Sequence, residues 1–481
     1  MLNTKSPFSL ILFGASGHLA RQKLYPALYV LALKKRLPKE YAIVGFARSA
    51  MDSISFRTLV EESIQKDMSE VNSAVLQEFL SHCHYHRGQY TDVKDFSALA
   101  TTLDNIETAC PWIRIAYLSI PPAVLADVLR GLSAGNVHDH RRSGDFRCIV
   151  EKPVGHDLKS FESIHHALFA CFGEDEIFLL DHYLGKEAVR NIYYLRLANP
   201  LLERLLKNTL IHHVEITALE EDGIEGRAGY FDQVGTFRDM FQSHLLEVAS
   251  LLTMRLQGEG DTVREGRRNA LEQFYLPPAT NLSDVILQGQ YMEGLIGGKN
   301  VSGYASEEGV SPHSRINTFI ALKLMTRISR WEGIPFYLRS GKRCSRKETR
   351  ISIQFQETQP MKGSTPNRLD IILQGEAGMR IHLQTKLGGS EPSFRPLILE
   401  DPLVCVGDCL PEHGLLLLEA IAGKQQWYLS FEEIRTAWRL VDPLQVYLQK
   451  KSTPLHLYAA GSAGPLETDA WIARDSVQWF L

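Results

Sequence analysis

The sequence predicts an α/β protein in which a doubly wound parallel sheet is followed by a separate α+β domain. In the first 180 residues, short apolar runs alternate with helical stretches, which is typical of parallel strands joined by crossover helices. Past Lys186 this alternation gives way to longer β-like runs and separate helical runs. The chain of 481 residues also exceeds the size at which single cores stop growing. We therefore expect two domains, residues 1–180 and residues 181–481.

The elements of each domain follow from these runs. The strands expected in the first domain are Ser9–Phe13, Tyr41–Phe46, Arg114–Ile120, Arg147–Val150 and Ile177–Leu180. The β-like runs of the second are Ile211–Leu219, Thr349–Phe355, Leu369–Gln374 and Met379–Thr385, and its helical runs are Met240–Met254 and Leu415–Ile421. A long loop is expected over residues 386–396 because glycine, serine and proline are frequent there.

Composition excludes several classes of function. The formal charge of −4 comes from 52 basic and 56 acidic residues that are well mixed, which argues against nucleic acid or a membrane as the main partner. No apolar stretch approaches the roughly 20 residues of a membrane span, and the start does not resemble a secretion signal. We expect a cytoplasmic protein whose seven scattered cysteines are reduced thiols. The run from His82 to His86 is interpreted as a polar strand edge, and no metal site is expected.

A glycine turn directly follows the first predicted strand. Gly14-Ala15-Ser16-Gly17 leads into a helical stretch over residues 19–33. Glycines at this position let the backbone approach a pyrophosphate at a helix N-terminus, where N–H groups and the helix dipole favour anions. The strand–turn–helix context therefore indicates a dinucleotide site, although the same spacing also occurs in ordinary tight turns.

The end of the second strand favours NADP over NAD. Ala47-Arg48-Ser49-Ala50 lacks the carboxylate that would accept a ribose 2′-hydroxyl, whereas an arginine and a hydroxyl suit a 2′-phosphate. Asp52 nearby leaves NAD open as a weaker coenzyme. Pro121 and Lys152 follow two further strands, and their strand ends face the same crevice.

The segment from Asp181 to Glu187 combines an acid, an imidazole, a phenol and an amine around Gly185. That mixture suits an anionic, hydroxylated ligand, while a capped helix start with a solvated lysine is the structural alternative. If a helix begins here, His182 and Lys186 share one face of it, four residues apart.

Taken together, the motifs resemble the glucose-6-phosphate dehydrogenase family. The resemblance is an ordered series of segments at similar spacing that spans most of the chain. They are Gly14 to Ala20, Gly45 to Ser49, Glu151 to Gly155, Asp181 to Glu187, Gly226 to His244, Arg330 to Lys342 and Trp438 to Pro443. The resemblance implies an NADP-dependent oxidoreductase of the oxidative pentose phosphate pathway that converts glucose 6-phosphate into a lactone. It also implies a large, mainly antiparallel sheet in the second domain, and a homodimer or homotetramer.

The resemblance also implies roles for individual residues. His244 would be the general base and Asp181 its carboxylate partner. His182, Tyr183, Lys186 and Lys347 would hold the phosphate, with Lys152 near both ligands. The sugar would contact Glu220, Asp239, Lys342 and Gln374, and the coenzyme would contact Gly14, Ser16, Gly17, His18, Leu19, Arg48, Ser49, Pro121 and Lys152.

Some positions depart from the family pattern. His18 stands where the family usually has aspartate, and Leu179 where it usually has arginine. Two alternatives therefore stay open: a dehydrogenase of another sugar 6-phosphate, and a non-catalytic homologue that binds NADP or a sugar phosphate. From the residues alone, His244 could equally be a structural histidine of an apolar helix.

Overall fold

The computed structural model describes residues 6–107, 111–138, 145–256, 262–357, 361 and 363–480. Contacts divide the chain into two compact units. The first contains residues 1–187 and 405–431, and the second contains residues 188–404 and 432–481. Among the described residues, no helix combines the length and the apolar character needed to cross a membrane.

The first unit contains a six-stranded sheet in the order β3-β2-β1-β4-β5-β6, and every neighbouring pair is parallel. Its strands are β1 (Phe8–Phe13), β2 (Tyr41–Ala47), β3 (Cys83–Arg87), β4 (Ile113–Leu118), β5 (Phe146–Glu151) and β6 (Ile177–Leu180). β1, β2 and β4 are buried along their whole length, as expected of central parallel strands covered on both faces. The predicted doubly wound sheet is confirmed, and the histidine-rich run forms its edge strand.

The second unit is built on a ten-stranded sheet. Its main path is β17-β16-β15-β14-β7-β13-β12-β9-β18, and β8 pairs with β12. The pairs are antiparallel except β7 with β13 and β9 with β18. The second-unit strands are β7 (Ile211–Leu219), β8 (Phe274–Tyr275), β9 (Ile286–Met292), β10 (Gly294–Ile296), β11 (Lys299–Val301), β12 (Phe319–Thr326), β13 (Phe336–Gly341), β14 (Glu348–Phe355), β15 (Arg368–Gln374), β16 (Gly378–Lys386), β17 (Phe394–Pro402) and β18 (His456–Ala459). The large, mainly antiparallel sheet is confirmed, but β17 begins inside the predicted loop.

The described residues also form fourteen α-helices. They are α1 (Tyr25–Leu33), α2 (Ser53–Asp67), α3 (Ser73–Ser81), α4 (Val93–Ile106), α5 (Leu125–Ala134), α6 (Leu158–Phe169), α7 (Glu187–Ala198), α8 (Pro200–Leu205), α9 (Ala228–Thr236), α10 (His244–Thr253), α11 (Val263–Leu271), α12 (Glu412–Ile421), α13 (Phe431–Leu448) and α14 (Glu467–Ala473).

Residues 405–431 return to the first unit. A single division of the chain at residue 180 places them in the second domain instead. The buried Arg147 guanidinium donates to the carbonyl oxygens of Ala420 and Ile421, each at 2.5 Å. The Leu429 N–H donates to the carbonyl of Leu179 at 2.9 Å. These bonds attach the returning segment to β5 and β6, so it completes the first core.

The cysteines depart from the expected reduced state at one pair. Cys405 and Cys409 form a disulfide, with their Cα atoms 5.8 Å apart, so the expectation of reduced thiols is wrong for these two. A separation of four residues in a loop brings the two thiols within bonding reach. Cys83, Cys148, Cys171 and Cys344 remain thiols.

Candidate active site

The glycine turn lies at the carboxyl end of β1, where the backbone must change direction sharply. Gly14 has φ of +78°, and a Cβ at this position would lie 2.1 Å from the Ser119 carbonyl oxygen. The Gly14 N–H donates to the Phe46 carbonyl at 3.1 Å, and the Gly17 N–H donates to the Gly14 carbonyl at 2.8 Å. Only glycine fits position 14, because any side chain would meet the backbone that follows β4.

A helical segment starts directly after this turn. The Arg21 N–H donates to the Gly17 carbonyl at 3.1 Å, and a π-helical turn over Ala20–Leu24 leads into α1. His18 is exposed and Leu19 is half-buried at the start of the segment. The turn therefore presents a helix N-terminus beside the ends of β1 and β2, an arrangement that favours a bound anion.

The residues after β2 lie against the same turn. The Ser16 and Ser49 hydroxyl oxygens are 3.0 Å apart. Tyr85 supports this segment by donating to the carbonyls of Ala47 at 3.1 Å and Ser49 at 2.7 Å. Arg48 is exposed, and its guanidinium lies 5.9 Å from the centre of the Tyr90 ring. The structure thus brings most of the predicted coenzyme residues together.

Two further residues predicted to contact ligands follow neighbouring strands of the same sheet. Pro121 is exposed after β4, and its carbonyl accepts from the Val124 N–H at 3.1 Å. Lys152 comes directly after β5 and is half-buried. Parallel strands end at one edge of a sheet, so both residues lie at the edge that carries the glycine turn.

Glu151 precedes Lys152, and no role in the site was predicted for its side chain. Its carboxylate accepts a hydrogen bond from the buried Tyr117 hydroxyl, and the His413 Nε2 lies 3.8 Å from one of its oxygens. Burial, together with the charge of Asp181, raises the pKa of Glu151 to about 7. Burial also lowers the pKa of His413 to about 4, with the nearby Lys23 acting in the same direction. The sequence shows Glu151 at a strand end, but it does not show this burial.

The segment after β6 is a tight turn. Asp181 is fully buried and caps a 3₁₀ turn over His182–Gly185, with its carboxylate accepting from the Tyr183 N–H at 2.9 Å. Lys186 is extended, with φ of −73° and ψ of 126°, and α7 begins only at Glu187. His182 and Lys186 therefore do not share a helix face, because the chain leaves helical geometry between them.

Side chains within this turn are fixed by local contacts. The Lys186 ammonium lies 3.9 Å from the centre of the Tyr183 ring, and Tyr183 itself is buried. A Cβ on Gly185 would lie 2.5 Å from the Glu412 carbonyl oxygen, so the turn presses closely against α12. The His182 ring is parallel to the His413 ring at 6.4 Å. The turn thus holds a cationic lysine and a histidine in a small volume.

In the second unit, three of the four predicted sugar residues, Glu220, Lys342 and Gln374, lie at one end of the sheet. Glu220 follows β7 and Lys342 follows β13, and these strands are parallel neighbours. The Lys342 ammonium contacts the Glu220 carboxylate, and Lys342 is buried. Gln374 ends β15, where its side-chain oxygen accepts from the Thr349 hydroxyl at 3.2 Å.

The loop between β13 and β14 does not turn both lysines inward. Lys347 is close to Asp222, with 3.2 Å between its ammonium and a carboxylate oxygen, and half of its side chain is exposed. Lys342 is the one of the two that is buried. Each lysine pairs with an acid, but Asp222 is itself half exposed, so Lys347 reaches it without leaving solvent.

Asp239 and His244 do not belong to one continuous α-helix. Asp239 lies in a π-helical turn over Phe237–Phe241, and Ser243 breaks the helix with φ of −139° and ψ of −77°. His244 then begins α10 and is only 3% exposed. In a regular helix the two side chains would be about 140° apart, but the backbone changes direction between them, so this angle does not apply.

Comparison with known proteins covers nearly the whole chain. Residues 11–191 match the family described as "Glucose-6-phosphate dehydrogenase, NAD binding domain". Residues 193–480 match "Glucose-6-phosphate dehydrogenase, C-terminal domain". The chain is 34% identical over 489 residues to the glucose-6-phosphate 1-dehydrogenase of Mycolicibacterium smegmatis, covering 98% of this chain and 97% of that one. It is 31% identical over 484 residues to the Bacillus subtilis enzyme of the same name, covering 98% of each.

Solved structures show the same fold. One is glucose-6-phosphate dehydrogenase in complex with its substrate glucose-6-phosphate, with a TM-score of 0.90, 29% identity, and coverage of 100% of this chain and 99% of that one. Another is glucose-6-phosphate 1-dehydrogenase from Mycobacterium avium, with a TM-score of 0.83, 28% identity, and coverage of 98% and 99%.

Proposed function

Because the chain belongs to the glucose-6-phosphate dehydrogenase family, we propose that it oxidises C1 of glucose 6-phosphate and passes a hydride to NADP. The observation that carries this proposal is similarity along the full chain to enzymes named glucose-6-phosphate 1-dehydrogenase. A relative whose structure holds glucose-6-phosphate also has this fold. The reaction would belong to the oxidative pentose phosphate pathway.

The glycine turn supports a nicotinamide dinucleotide as coenzyme. Gly14 has φ of +78° and no room for a Cβ, so only glycine allows the tight turn that leads into the helix N-terminus, where a pyrophosphate would bind. The residues that would hold the coenzyme are Gly14, Ser16, Gly17, His18, Leu19, Arg48, Ser49, Pro121 and Lys152. Arg48 and Ser49 favour NADP, since a guanidinium and a hydroxyl suit a 2′-phosphate, and NAD would bind more weakly. When bound, the coenzyme supplies the hydride acceptor.

The turn after β6 supports binding of the phosphate end of the substrate. Lys186 offers a positive charge that is already held over the Tyr183 ring, and His182 lies beside it. A dianion would gain charge-assisted hydrogen bonds from these groups. Lys347 and Lys152 are proposed to add positive charge to the same ligand.

The strand ends of the second unit support binding of the sugar hydroxyls. Glu220, Lys342 and Gln374 together offer both donors and acceptors, and Asp239 is proposed to join them. Lys342 is held by Glu220, so a sugar hydroxyl can donate to the carboxylate and accept from the ammonium without either side chain moving far.

The chemistry requires a base for the C1 hydroxyl proton, and we assign this role to His244. An imidazole is the side chain best suited to taking up a proton near neutral pH. Asp181 is proposed as the carboxylate that orients His244 and stabilises the imidazolium that forms. Removing the hydroxyl proton pushes electrons toward C1, so the C1 hydrogen can leave as a hydride and the product is a lactone.

A panel of substrates tests this proposal. Initial rates of nicotinamide reduction would be compared for glucose 6-phosphate, galactose 6-phosphate, glucosamine 6-phosphate and free glucose, each with NADP and with NAD. We expect the highest kcat/KM for glucose 6-phosphate with NADP. A higher value for another sugar phosphate would identify a different substrate. Binding of NADP and glucose 6-phosphate without turnover of any sugar would identify a non-catalytic homologue.

The proposal includes a homodimer or homotetramer. β17 is an edge strand of the large sheet, and its apolar side chains Ile398 and Leu399 are 53% and 50% exposed. An exposed apolar edge strand is a surface suited to pairing with a second copy. The cytoplasmic location stays a prediction.

A further inference from the structure

One face of α6 carries three potential metal ligands outside the proposed active site. Glu162 lies three residues before His165 and four before His166, so each histidine neighbours the acid on the helix surface. One potential ligand atom from each lies within 4.8 Å of the others. Glu162 and His165 are half-buried, and His166 is exposed.

His166 is already held in the form that a metal ligand needs. Its Nδ1 lies 2.6 Å from the Glu162 carbonyl oxygen. A carbonyl only accepts, so Nδ1 carries the proton and Nε2 carries the lone pair. Metal-binding histidines commonly use this arrangement, in which the second ring nitrogen donates to a backbone carbonyl.

His165 is oriented by aromatic packing. Its ring lies 4.5 Å from the Phe169 ring and meets the Phe431 ring edge-on at 4.8 Å. Its Nδ1 is 3.7 Å from a carboxylate oxygen of Glu162. The ring therefore cannot turn freely, and one of its nitrogens already faces the acid that would share a cation.

We propose that Glu162, His165 and His166 form a site for a divalent transition metal, with Zn²⁺ the best match. Two imidazoles and one carboxylate form a common zinc ligand set, and water can complete a tetrahedron. Calcium and magnesium prefer oxygen ligands, so these ions do not suit the site. The site is independent of the proposed dehydrogenase activity, and it replaces the expectation that the protein binds no metal.

Metal binding would strengthen one contact of the first core. Phe431 packs against both His165 and Phe169, and it ends the segment that returns to the first unit. A cation that joins Glu162 to both histidines would hold His165 against Phe431. Because Zn²⁺ binds the folded state, it would raise the Tm, and the rise would grow with the logarithm of the free zinc concentration above the Kd.

Equilibrium dialysis of the tag-free protein against zinc chloride, followed by metal analysis, tests the proposal. The wild type would be compared with His166→Ala and Glu162→Gln. His156→Ala is the matched control, because His156 is exposed and lies just before the same helix. Thiols elsewhere can also bind zinc, so the measured quantity is the difference between the wild type and each variant.

We expect the wild type to hold one more zinc per chain than His166→Ala, which should bind at this site at least about tenfold more weakly. Glu162→Gln should also weaken binding, and His156→Ala should match the wild type. The zinc-dependent rise in Tm should disappear in His166→Ala. Equal zinc content and equal Tm shifts in the wild type and His166→Ala would overturn the proposal, as would the absence of zinc binding to the wild type.

Discussion

The hydroxyl oxygens of Ser16 and Ser49 lie 3.0 Å apart and join the glycine turn after β1 to the segment after β2. This contact places the start of a helix beside Arg48, whose guanidinium lies close to the Tyr90 ring. A pyrophosphate site and a candidate 2′-phosphate site are therefore neighbours on one surface. The expected effects of replacing Gly14 or Arg48 depend on this arrangement.

Replacing Gly14 by alanine should abolish coenzyme binding. A Cβ would lie 2.1 Å from the Ser119 carbonyl oxygen, and φ is +78°, so the turn would have to open. We expect no measurable binding of NADP by calorimetry, together with a lower Tm. The control is Gly229→Ala in α9, where a Cβ would meet no atom within 4 Å. Unchanged NADP binding by Gly14→Ala would mean that the turn does not hold the coenzyme.

Replacing Arg48 by alanine should weaken NADP far more than NAD. A guanidinium bound to a phosphate contributes about 1.5–3 kcal/mol, which corresponds to roughly a tenfold to hundredfold loss of affinity. The measurement is the ratio of the two dissociation constants in the wild type and the variant. Arg130→Ala, an exposed arginine of α5, is the control. An equal loss of affinity for both coenzymes would show that Arg48 does not bind the 2′-phosphate.

Glu151→Gln should change how stability depends on pH. Burial raises the pKa of Glu151 to about 7 in the folded protein, whereas an unfolded glutamate titrates near 4.3. Between these two pH values the folded state binds more protons than the unfolded state. Glu151 therefore lowers the free energy of unfolding as pH rises through this window, by roughly 4 kcal/mol in full. Glutamine stays neutral and can still accept from Tyr117. The Tm of the variant minus that of the wild type should therefore increase from about pH 5 to pH 8.

His413 has the opposite effect on how stability depends on pH. Burial lowers its pKa to about 4, so the unfolded state binds more protons between that value and about 6.5. Its contribution therefore increases stability as pH rises through this range, and it is lost as pH falls toward 4. His413 lies 3.8 Å from Glu151, so its pKa can change when Glu151 is replaced, and the part of the difference that reports Glu151 alone is the rise between about pH 6.5 and pH 8. A difference that does not vary with pH would show that Glu151 is ionised in the folded protein.

Lys186→Ala should raise KM for glucose 6-phosphate while the protein stays folded. The change removes the charge held over Tyr183, and a lost charge-assisted bond to a dianion corresponds to roughly a tenfold to hundredfold effect. Steady-state kinetics with saturating NADP would measure it. Lys94→Ala, an exposed lysine in α4, should behave as the wild type. An unchanged KM would remove Lys186 from the phosphate site.

His244→Asn should lower kcat by about a hundredfold to ten-thousandfold, because a general base acts in the transition state. Substrate binding, measured by calorimetry, should remain. His456→Asn, a half-buried histidine near Glu467, is the matched control and should keep its kcat. Nearly full turnover by the His244 variant would show that this histidine is structural.

Apolar or alternating runs predicted five strands of the first sheet, but only β7, β14, β15 and β16 of the second, whose large antiparallel sheet was implied by the family resemblance. Ile177–Leu180 and Ile211–Leu219 match β6 and β7 residue for residue, since burial imposes a pattern that the sequence displays. The return of residues 405–431 was not predicted. It depends on hydrogen bonds from Arg147 to carbonyl groups more than 270 positions away, and no local sequence pattern predicts such a bond.

The site was predicted in its residue types more fully than in its geometry. The resemblance supplied the motifs, but the break at Ser243 and the extended Lys186 are backbone features that hydrophobic spacing does not encode. The raised pKa of Glu151 depends on burial beside Tyr117 and Asp181, which appears only in the folded chain. The roles of the site residues stay predictions.

Transfer of label from glucose 6-phosphate carrying deuterium at C1 tests the central proposal most directly. The protein would be incubated with this substrate and NADP, and the reduced coenzyme would be analysed by mass spectrometry. We predict one deuterium in each reduced coenzyme, together with formation of the lactone or its hydrolysis product. Unlabelled reduced coenzyme, or no reduction by a protein that binds both ligands, would contradict hydride transfer from C1.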